Sequence, residues 1–443
     1  MNILGTLFFL ISAIALMSVP RRWAPIPLLM GVIYITHGQA LELGGIKLPV
    51  FRMLLGVGLV RIILRGEGFG GGLNRIDKLM LALGGWLFFA SFFHEPGAAA
   101  AGPTFITGKV AEISLCYFLM RSFCQDMDDF ASIMGVIAIL LVPIALEMIQ
   151  EKFTEINLFS KLFGGVREAV VVRDDALRAR GPFRHAILAG TVGAALVPIM
   201  IGLWRRNPRA AKIGLIACIT MVASCASSGP VLSLGFALLG VFLWKFRAWM
   251  RMIRWSLPIG YIVLAMVMTR PVYYIIGELS MGGSTGWHRS KLIDSAINYY
   301  GDWWAFGTDH TRSWMPTGVT FSEEHTDITN YFLAYGVMGG LLAMLLLMAM
   351  AWVAFKWVGD TIDSLPEDDD ENGDRFMVWC MGSSLFAHVA TSISVAYYDQ
   401  SVFFFWFSIA TISSVYMARH DRVPVPDENL PESDPASKMQ WSN

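Results

Sequence analysis

Long apolar stretches, separated by short polar segments, recur along the chain as far as residue 418. A helix needs about 20 apolar residues to span the hydrocarbon core of a bilayer. Helices also satisfy their own backbone N–H and C=O groups, which lipid cannot do. The pattern therefore predicts an all-α, polytopic integral membrane protein with 12 or 13 transmembrane helices. The predicted spans are 3–19, 24–38, 48–65, 77–94, 105–123, 130–149, 185–204, 211–224, 228–245, 254–270, 328–356, 375–395 and 399–418.

The composition agrees with this class. Of the 443 residues 55% are hydrophobic and 16% are charged, whereas soluble domains carry about 25% charged residues. The first residues lack a basic segment and a small-residue cleavage site, so we expect an uncleaved first helix rather than a signal peptide. All five cysteines fall in or at the ends of predicted spans, which argues against a disulfide framework; they are Cys116, Cys124, Cys218, Cys225 and Cys380.

The short segments between predicted spans carry most of the basic clusters. Cytoplasmic loops are enriched in Lys and Arg, and placing these clusters inside gives one consistent topology with a cytoplasmic C-terminus. Two longer segments, 150–184 and 271–327, then lie outside. The predicted parts are N-terminal transmembrane helices (1–149), a basic periplasmic loop (150–184), central transmembrane helices (185–270), a large periplasmic loop (271–327), C-terminal transmembrane helices (328–418) and a disordered cytoplasmic tail (419–443).

The first outer segment contains arginines where the orientation rule predicts few. Arg178, Arg180 and Arg184 lie near its end, and no acidic residue follows them before the next span. A basic cluster on the outer face favours an anionic ligand. The alternative is a solvated loop whose positive charges are balanced by the acidic residues earlier in the segment.

The second outer segment combines aromatic side chains with carboxylates. Trp287, Trp303 and Trp304 are the candidates for sugar binding, because flat apolar rings pack on sugar C–H groups and carboxylates accept hydrogen bonds from hydroxyls. The alternative is an aromatic belt at the outer membrane interface.

Histidine is the side chain best suited to accept a proton near neutral pH. His325 lies where the second outer segment re-enters the membrane, with acidic residues close by in the sequence, and is therefore the candidate general base. The alternative is an ordinary interfacial histidine. No zinc-binding spacing of His and Cys occurs in the chain, so we expect no metal.

Three stretches together resemble the O-antigen ligase/polymerase family of bacterial membrane transferases. Residues 178–185 (RARGPFRH) are similar to the R-x-x-G-x-F segment that enters a helix in that family. Residues 227–230 (SSGP) stand where family members commonly have Ser-Arg-Gly. The third stretch runs from 287–289 (WHR) through 305–307 (AFG) and 325–331 (HTDITNY) to 336–340 (GVMGG). The resemblance covers roughly residues 150–345.

This resemblance implies a metal-independent, inverting glycosyltransferase at the periplasmic face of the bacterial inner membrane. The donor would be a glycan on undecaprenyl pyrophosphate, and the acceptor would be a hydroxyl of lipid A core or of another glycan. Arg289 and His325 are the catalytic candidates, and Arg178, Arg180 and Arg184 are the pyrophosphate-binding candidates. No cofactor and no nucleic-acid partner is expected, and membrane lipids surround the helices.

Several functions remain open at this point. An O-antigen ligase and a polysaccharide repeat-unit polymerase use the same donor and differ only in acceptor. A transporter of polysaccharide or lipid-linked glycan would also be polytopic, but such proteins often contain internal repeats, and none is evident here. A glycan-binding scaffold would need no constellation of arginine and histidine.

Overall fold

The computed structural model describes residues 1–43, 46–95, 102–173, 176–278, 284–320, 322–366 and 373–420. It is 75% helical with almost no sheet, as an all-α membrane protein requires. The α-helices are α1 Ile3–Ser18, α2 Pro25–Tyr34, α3 Val50–Arg65, α4 Arg75–Ala90, α5 Pro103–Phe123, α6 Met127–Thr154, α7 Leu158–Phe163, α8 Ala186–Gly202, α9 Pro208–Ser224, α10 Ser228–Phe242, α11 Met250–Val267, α12 Ile275–Glu278, α13 Ser284–Asn298, α14 Tyr300–Trp303, α15 Tyr331–Asp363, α16 Asp374–Ser392 and α17 Gln400–His420.

Short irregular elements connect these helices. The 3₁₀ helices are Arg21–Trp23, Ser91–Phe93, Leu243–Trp249, Val272–Tyr274 and Arg312–Trp314. Two antiparallel hairpins pair β1 Ala40–Leu43 with β2 Ile46–Pro49, and β3 Val171–Arg173 with β4 Ala176–Arg178. The predicted cytoplasmic tail beyond residue 420 lies outside the described residues.

Each predicted span lies on a helix. By length and apolar composition alone, five helical stretches of the described chain are able to cross a membrane, which indicates a membrane-associated protein. They are Arg75–Phe93, Met127–Thr154, Ser228–Val267, Tyr331–Asp363 and Gln400–His420.

Helices α8, α10 and α16 pack against one another at the centre of the C-terminal part. Ala195, Ala237 and Ala387, one from each helix, form a small buried cluster. Small residues let helix backbones approach closely, which favours association in a membrane. Helices α6 and α9 pack beside α8, while α4 runs along α15 and α5 along α17.

One end of the bundle, here called the short-loop end, collects the predicted cytoplasmic segments. Arg206 joins two helix starts there, with contacts of 2.6 Å to Asp128 and 2.5 Å to Asp374. Arg21 donates to the Phe123 carbonyl at 2.8 Å. Arginines therefore hold this end together, as well as giving it positive charge.

A buried polar network fastens α4, α5 and α17 at the short-loop end. Asn74 and Asp77 form a capping box at the start of α4. Tyr117 donates to Asp77 at 2.6 Å, and the fully buried Arg121 lies 3.5 Å from the same carboxylate. Asn74 also donates to Ser413 at 2.8 Å. Because a buried charge left without its partner is costly, this network fixes the relative positions of the three helices.

The opposite end, here called the long-loop end, collects the chain start, the helix end at residues 94–95 and the two long segments. Asn2 donates to the Leu162 carbonyl at 2.7 Å, and the His37 ring lies 3.4 Å from the Asp399 carboxylate. These contacts bring the chain start close to the first long segment, and the residues that follow α2 close to the start of α17.

The described part of segment 271–327, predicted as a large loop, contains three α-helices and two 3₁₀ helices and has its own small core. Trp303 and Trp314 pack there with Leu292 of α13 and Leu333 of α15. The described part of this segment is therefore a folded cap on the first turns of α15.

Helix α15 is interrupted at Gly339 and Gly340. Gly340 has a φ of +74°, a conformation that glycine adopts without strain. The Leu341 N–H donates to the Trp304 carbonyl at 2.8 Å, and the Thr308 N–H donates to the Val337 carbonyl at 2.9 Å. A Gly-x-x-Gly pattern often lets helices approach closely, whereas here the structure has a helix break into which residues 304–308 fit.

Candidate functional site

Residues 178–184, here called the arginine turn, cross the long-loop end and are held by a buried carboxylate. Glu151 of α6 is fully buried, and its Oε2 accepts hydrogen bonds from the backbone N–H groups of Arg180 and Gly181, each at 2.9 Å. Gly181 has a φ of +58°, which suits glycine. The Asn157 side chain donates to the Gly181 carbonyl at 2.8 Å. The turn is therefore fixed from α6 and from the segment that follows it.

The arginine turn also rests on the ends of two other helices. The Ala179 N–H donates to the Ser224 carbonyl at the end of α9, at 3.1 Å. The Gln400 side chain at the start of α17 donates to the Pro182 carbonyl at 2.9 Å. Ala226, in the adjoining link from α9 to α10, has a φ of +43°. Such strained positions are frequent at functional sites.

The three predicted pyrophosphate-binding arginines differ in burial. Arg178 and Arg180 are buried, and Arg184 is exposed. The Nε of Arg180 lies 3.9 Å from Oε1 of Glu151, and burial lowers the pKa of this guanidinium. Arginine keeps its charge in such surroundings, and its hydrogen bonds to an anion are strong in a partly dry site. Arg180 is therefore held in place and charged before any ligand arrives.

Arg289, the predicted catalytic arginine, lies beside the first turn of α10. A Cβ added at Gly229 would be 4.0 Å from Nη2 of Arg289. The N-cap residue Ser227 makes no side-chain hydrogen bond to this turn. Arg178 directly precedes Ala179, whose N–H binds the carbonyl of the last residue of α9, so Arg178 lies near the link from α9 to α10. Helix N-termini favour anions through their N–H groups and dipole.

Asp327 is placed with the same group of arginines. The pKa of Tyr398 is raised to about 12, mainly by burial and then by the charges of Asp399 and Asp327, while the charges of Arg184 and Arg180 act in the opposite direction. Burial also raises the pKa of Asp327, against the opposing effect of His288. The His288 ring lies 3.0 Å from the Asp327 carbonyl oxygen. The Tyr398 hydroxyl is therefore subject to the charge of Asp327 in the large loop and to the charges of two arginines of the arginine turn.

His325, the predicted general base, is buried in a different group at the long-loop end. Its Nδ1 lies 3.1 Å from the hydroxyl of Thr311. Burial lowers the pKa of the ring, and the charges of Asp309, His310 and Glu324 also act on it. His310 contacts Glu324 at 3.0 Å, and this hydrogen bond raises the pKa of His310.

His94 fastens this second group to the helix break. Its Nδ1 lies 2.7 Å from the Asp309 carboxylate, and its Nε2 lies 2.9 Å from the Phe306 carbonyl and 3.2 Å from the Met338 carbonyl. These residues, here called the histidine group (His94, His310 and His325), therefore tie the loop to the end of α4 and to α15.

The three predicted sugar-binding tryptophans lie in different settings. Trp287 and Trp304 are about half exposed, whereas Trp303 is buried and its Nε1 donates to the Ala296 carbonyl at 2.8 Å. A buried ring offers no open face to a sugar, so Trp303 stabilises the folded loop instead. For Trp287 and Trp304, sugar binding stays a prediction.

Several residues of this site were not candidates at the level of sequence. Glu151 appeared only as a balancing charge, and Asp327, His288 and Tyr398 had no assigned role. The signal for Asp327 is its position two residues beyond His325, at the point where the chain re-enters the bundle. No three described His, Cys, Asp or Glu side chains are grouped so as to hold a metal ion, and the metal-free mechanism stays a prediction.

No protein-family model matches this chain, and no curated protein matches it either. Its function is therefore inferred from the geometry of its own residues.

Proposed function

We propose that this protein is a glycosyltransferase that moves a glycan from undecaprenyl pyrophosphate to an acceptor hydroxyl, as an O-antigen ligase acting on lipid A core. The observation that carries this proposal is the arrangement around the start of α10. Arg289 lies beside the first turn of α10, whose N-cap side chain makes no hydrogen bond to that turn. The arginine turn, which carries Arg178, Arg180 and Arg184, rests on the end of α9 just before that helix. The charges of Asp327, Arg180 and Arg184 all act on Tyr398.

The arginines would stabilise the leaving group. As the acceptor oxygen attacks the anomeric carbon, the bond from that carbon to the pyrophosphate oxygen breaks. The electron pair stays on the pyrophosphate, which departs with additional negative charge. Guanidinium groups bind such oxygens in pairs of hydrogen bonds, and donors aimed at developing charge give large rate effects in a water-poor site.

The acceptor proton would pass to a nearby base, and two residues are candidates. Asp327 lies in the neighbourhood of Arg180 and Arg184, and its raised pKa makes it a better proton acceptor than an exposed aspartate. The charges that act on His325 belong to the histidine group. We therefore assign the base to Asp327, with His325 as the alternative that the resemblance implies.

The charges at the two ends of the bundle support an orientation in the membrane. The short-loop end carries Arg21, Arg22, Arg121 and Arg206, and short loops rich in arginine stay in the cytoplasm. The long-loop end would then face the periplasm of a bacterial inner membrane, with 12 or 13 helices crossing the bilayer.

A transporter is the competing class, and the break in α15 is the feature that favours it, because broken helices form substrate sites in many transporters. Here the carbonyls around the break have partners within the protein. Trp86 donates to the Gly339 carbonyl at 2.7 Å, and Thr308 and His94 bind the two before it. Because protein groups fill the break in this way, we assign the break a structural role, which favours the enzyme over the transporter.

Glycan transfer by purified variants tests these assignments. The protein would be reconstituted in liposomes with a lipid-linked oligosaccharide donor and lipid A core as acceptor. We expect Arg289→Ala and Asp327→Asn each to lose about a hundredfold or more of the rate, and His325→Gln to lose less than Asp327→Asn. Full activity of Arg289→Ala would contradict the proposal, and a larger loss in His325→Gln would return the base to His325.

A further inference from the structure

A cleft of about 690 Å³ opens at the long-loop end, between the end of α11, the short helix α12 and helix α13. Ligand sites for small molecules have volumes of about 300–1,000 Å³, so this cleft is large enough for a sugar unit. Helix α11 has no buried residue. No further layer of protein therefore covers the cleft on the side formed by this helix. The cleft lies apart from the arginine turn and has no role in the proposal above.

The lining of the cleft has the chemistry of a carbohydrate site. Trp287 presents an indole that is 53% exposed, and Tyr274 adds a second aromatic ring. Glu278, Asp294 and Arg270 supply charged acceptors and donors. Aromatic rings pack on the C–H face of a pyranose, while carboxylates and arginine bind its hydroxyls.

Asp294 is held in a fixed position within this lining. The Tyr273 hydroxyl donates to one carboxylate oxygen at 2.9 Å, and Lys291 contacts the other at 2.6 Å. The hydrogen bond from Lys291 is the largest cause of the lowered pKa of Asp294. The carboxylate is therefore ionised at neutral pH and accepts hydrogen bonds in a fixed geometry.

Helix α13 connects the cleft to the arginines. Trp287 and Asp294 are seven residues apart, so they lie on one face of the helix, and both line the cleft. Arg289 lies on the opposite side of the same helix turn, near Gly229 of α10. His288 is held against the backbone of Asp327. One rigid helix therefore separates the cleft from the proposed reaction centre by about its own width.

We infer that this cleft binds the acceptor glycan. The inference rests on the proposed transferase function and names the part of the substrate that the cleft takes: a pyranose unit of the acceptor, from which further sugar units extend past α13 to the reacting hydroxyl beside the arginines. The donor needs the arginines for its pyrophosphate. The cleft instead contains carboxylates together with aromatic rings, and this combination suits an uncharged sugar unit of the acceptor.

Two measurements test this inference. In the first, saturation-transfer NMR follows the delipidated core oligosaccharide of a rough lipopolysaccharide with the purified protein in nanodiscs. In the second, transfer kinetics in liposomes separate the KM for acceptor from the KM for donor. The variants are Trp287→Ala and Asp294→Asn. The control is Trp249→Ala, which removes an indole of similar exposure next to α11 at the short-loop end.

We expect both cleft variants to raise the acceptor KM about tenfold or more, with donor KM unchanged and with the NMR signal of the oligosaccharide lost. Trp249→Ala should behave as wild type. An unchanged acceptor KM and an unchanged NMR signal in Trp287→Ala, with wild-type transfer intact, would overturn the cleft but leave the proposed function standing. Absence of transfer by the wild-type protein to any acceptor, together with absence of oligosaccharide binding, would overturn both.

Discussion

Glu151 is predicted to control how well the protein binds its donor, although it would not touch the donor itself. Its Oε2 accepts hydrogen bonds from Arg180 and Gly181, and its Oε1 lies 3.9 Å from the Arg180 side chain. Replacing Glu151 with Ala removes the acceptor for two buried N–H groups. Replacing it with Gln keeps one carbonyl oxygen at nearly the same place but removes the negative charge.

The expected magnitudes follow from these contacts. A buried N–H without an acceptor costs about 1–3 kcal/mol, so Glu151→Ala should destabilise the arginine turn by about 2–6 kcal/mol. Glu151→Gln retains neutral hydrogen bonds, which are about half as strong as charge-assisted ones. The order of turn stability should therefore be wild type, then Glu151→Gln, then Glu151→Ala.

Transfer kinetics and hydrogen exchange together check this prediction. Glu151→Ala should raise the donor KM about tenfold or more and speed amide exchange at residues 179–181, while acceptor KM stays unchanged. Glu151→Gln should recover most of the donor binding. The control is Glu168→Gln, which changes an exposed carboxylate of the same segment that lies 3.9 Å from Lys161. Equal effects of Glu151→Ala and Glu168→Gln on donor KM would refute the reasoning.

Three further predictions concern the guanidinium fork, the helix break and the buried histidine. Arg289→Lys keeps a positive charge but loses paired hydrogen bonding, so transfer should fall about tenfold or more; an unchanged rate would mean that charge alone is needed. Gly340 has a φ of +74°, and Gly340→Ala places a Cβ 2.2 Å from the Ala305 carbonyl oxygen. This change should lower the melting temperature in detergent by several degrees. An unaltered melting temperature would contradict the described break. The lowered pKa of His325 means that the folded state binds fewer protons than the unfolded state, so stability is lost as pH falls below about 6.5. The melting temperature should therefore drop more between pH 7 and pH 5 in wild type than in His325→Gln. Equal drops in the two proteins would refute this assignment.

The positions of the helices were predictable because each apolar stretch has to be buried in lipid or in protein. Helix ends were less predictable, since local capping sets them. Helix α6 was expected over 130–149 but covers Met127–Thr154. Asp126 caps its start by accepting from the Asp129 N–H, and Glu155 ends it with a φ of +61°.

The site was predictable only in part. Arg178 and Arg180 became candidates from residue type and position, because arginine is unusual in a segment predicted to lie outside and is useful beside an anion, and Arg289 became one through the family resemblance; their roles stay predictions. The role of Glu151 could not be predicted, because it depends on contacts between segments about thirty residues apart. Trp303 was predicted to bind sugar together with Trp287 and Trp304, which are exposed. Sequence alone does not show which of two neighbouring rings packs into the protein.

The helix break was also hidden from the sequence. A Gly-x-x-Gly pattern permits either close helix packing or a left-handed residue. Here the packing of Gly307 decides between them, because a Cβ at that position would lie 2.1 Å from the Val337 carbonyl oxygen. The partner segment is therefore part of the reason for the break.

The central claim is that the protein transfers a lipid-linked glycan, and reconstitution of the wild-type protein tests it most directly. Liposomes would contain an undecaprenyl pyrophosphate oligosaccharide, either with lipid A core or without an added acceptor. Glycosylated lipid A core in the first mixture, with release of undecaprenyl pyrophosphate and loss of both in Arg289→Ala, is the predicted result. A ladder of longer lipid-linked chains in the second mixture would identify a repeat-unit polymerase. Movement of the donor across the bilayer with no new glycosidic bond in either mixture would contradict the proposed enzyme and identify a transporter.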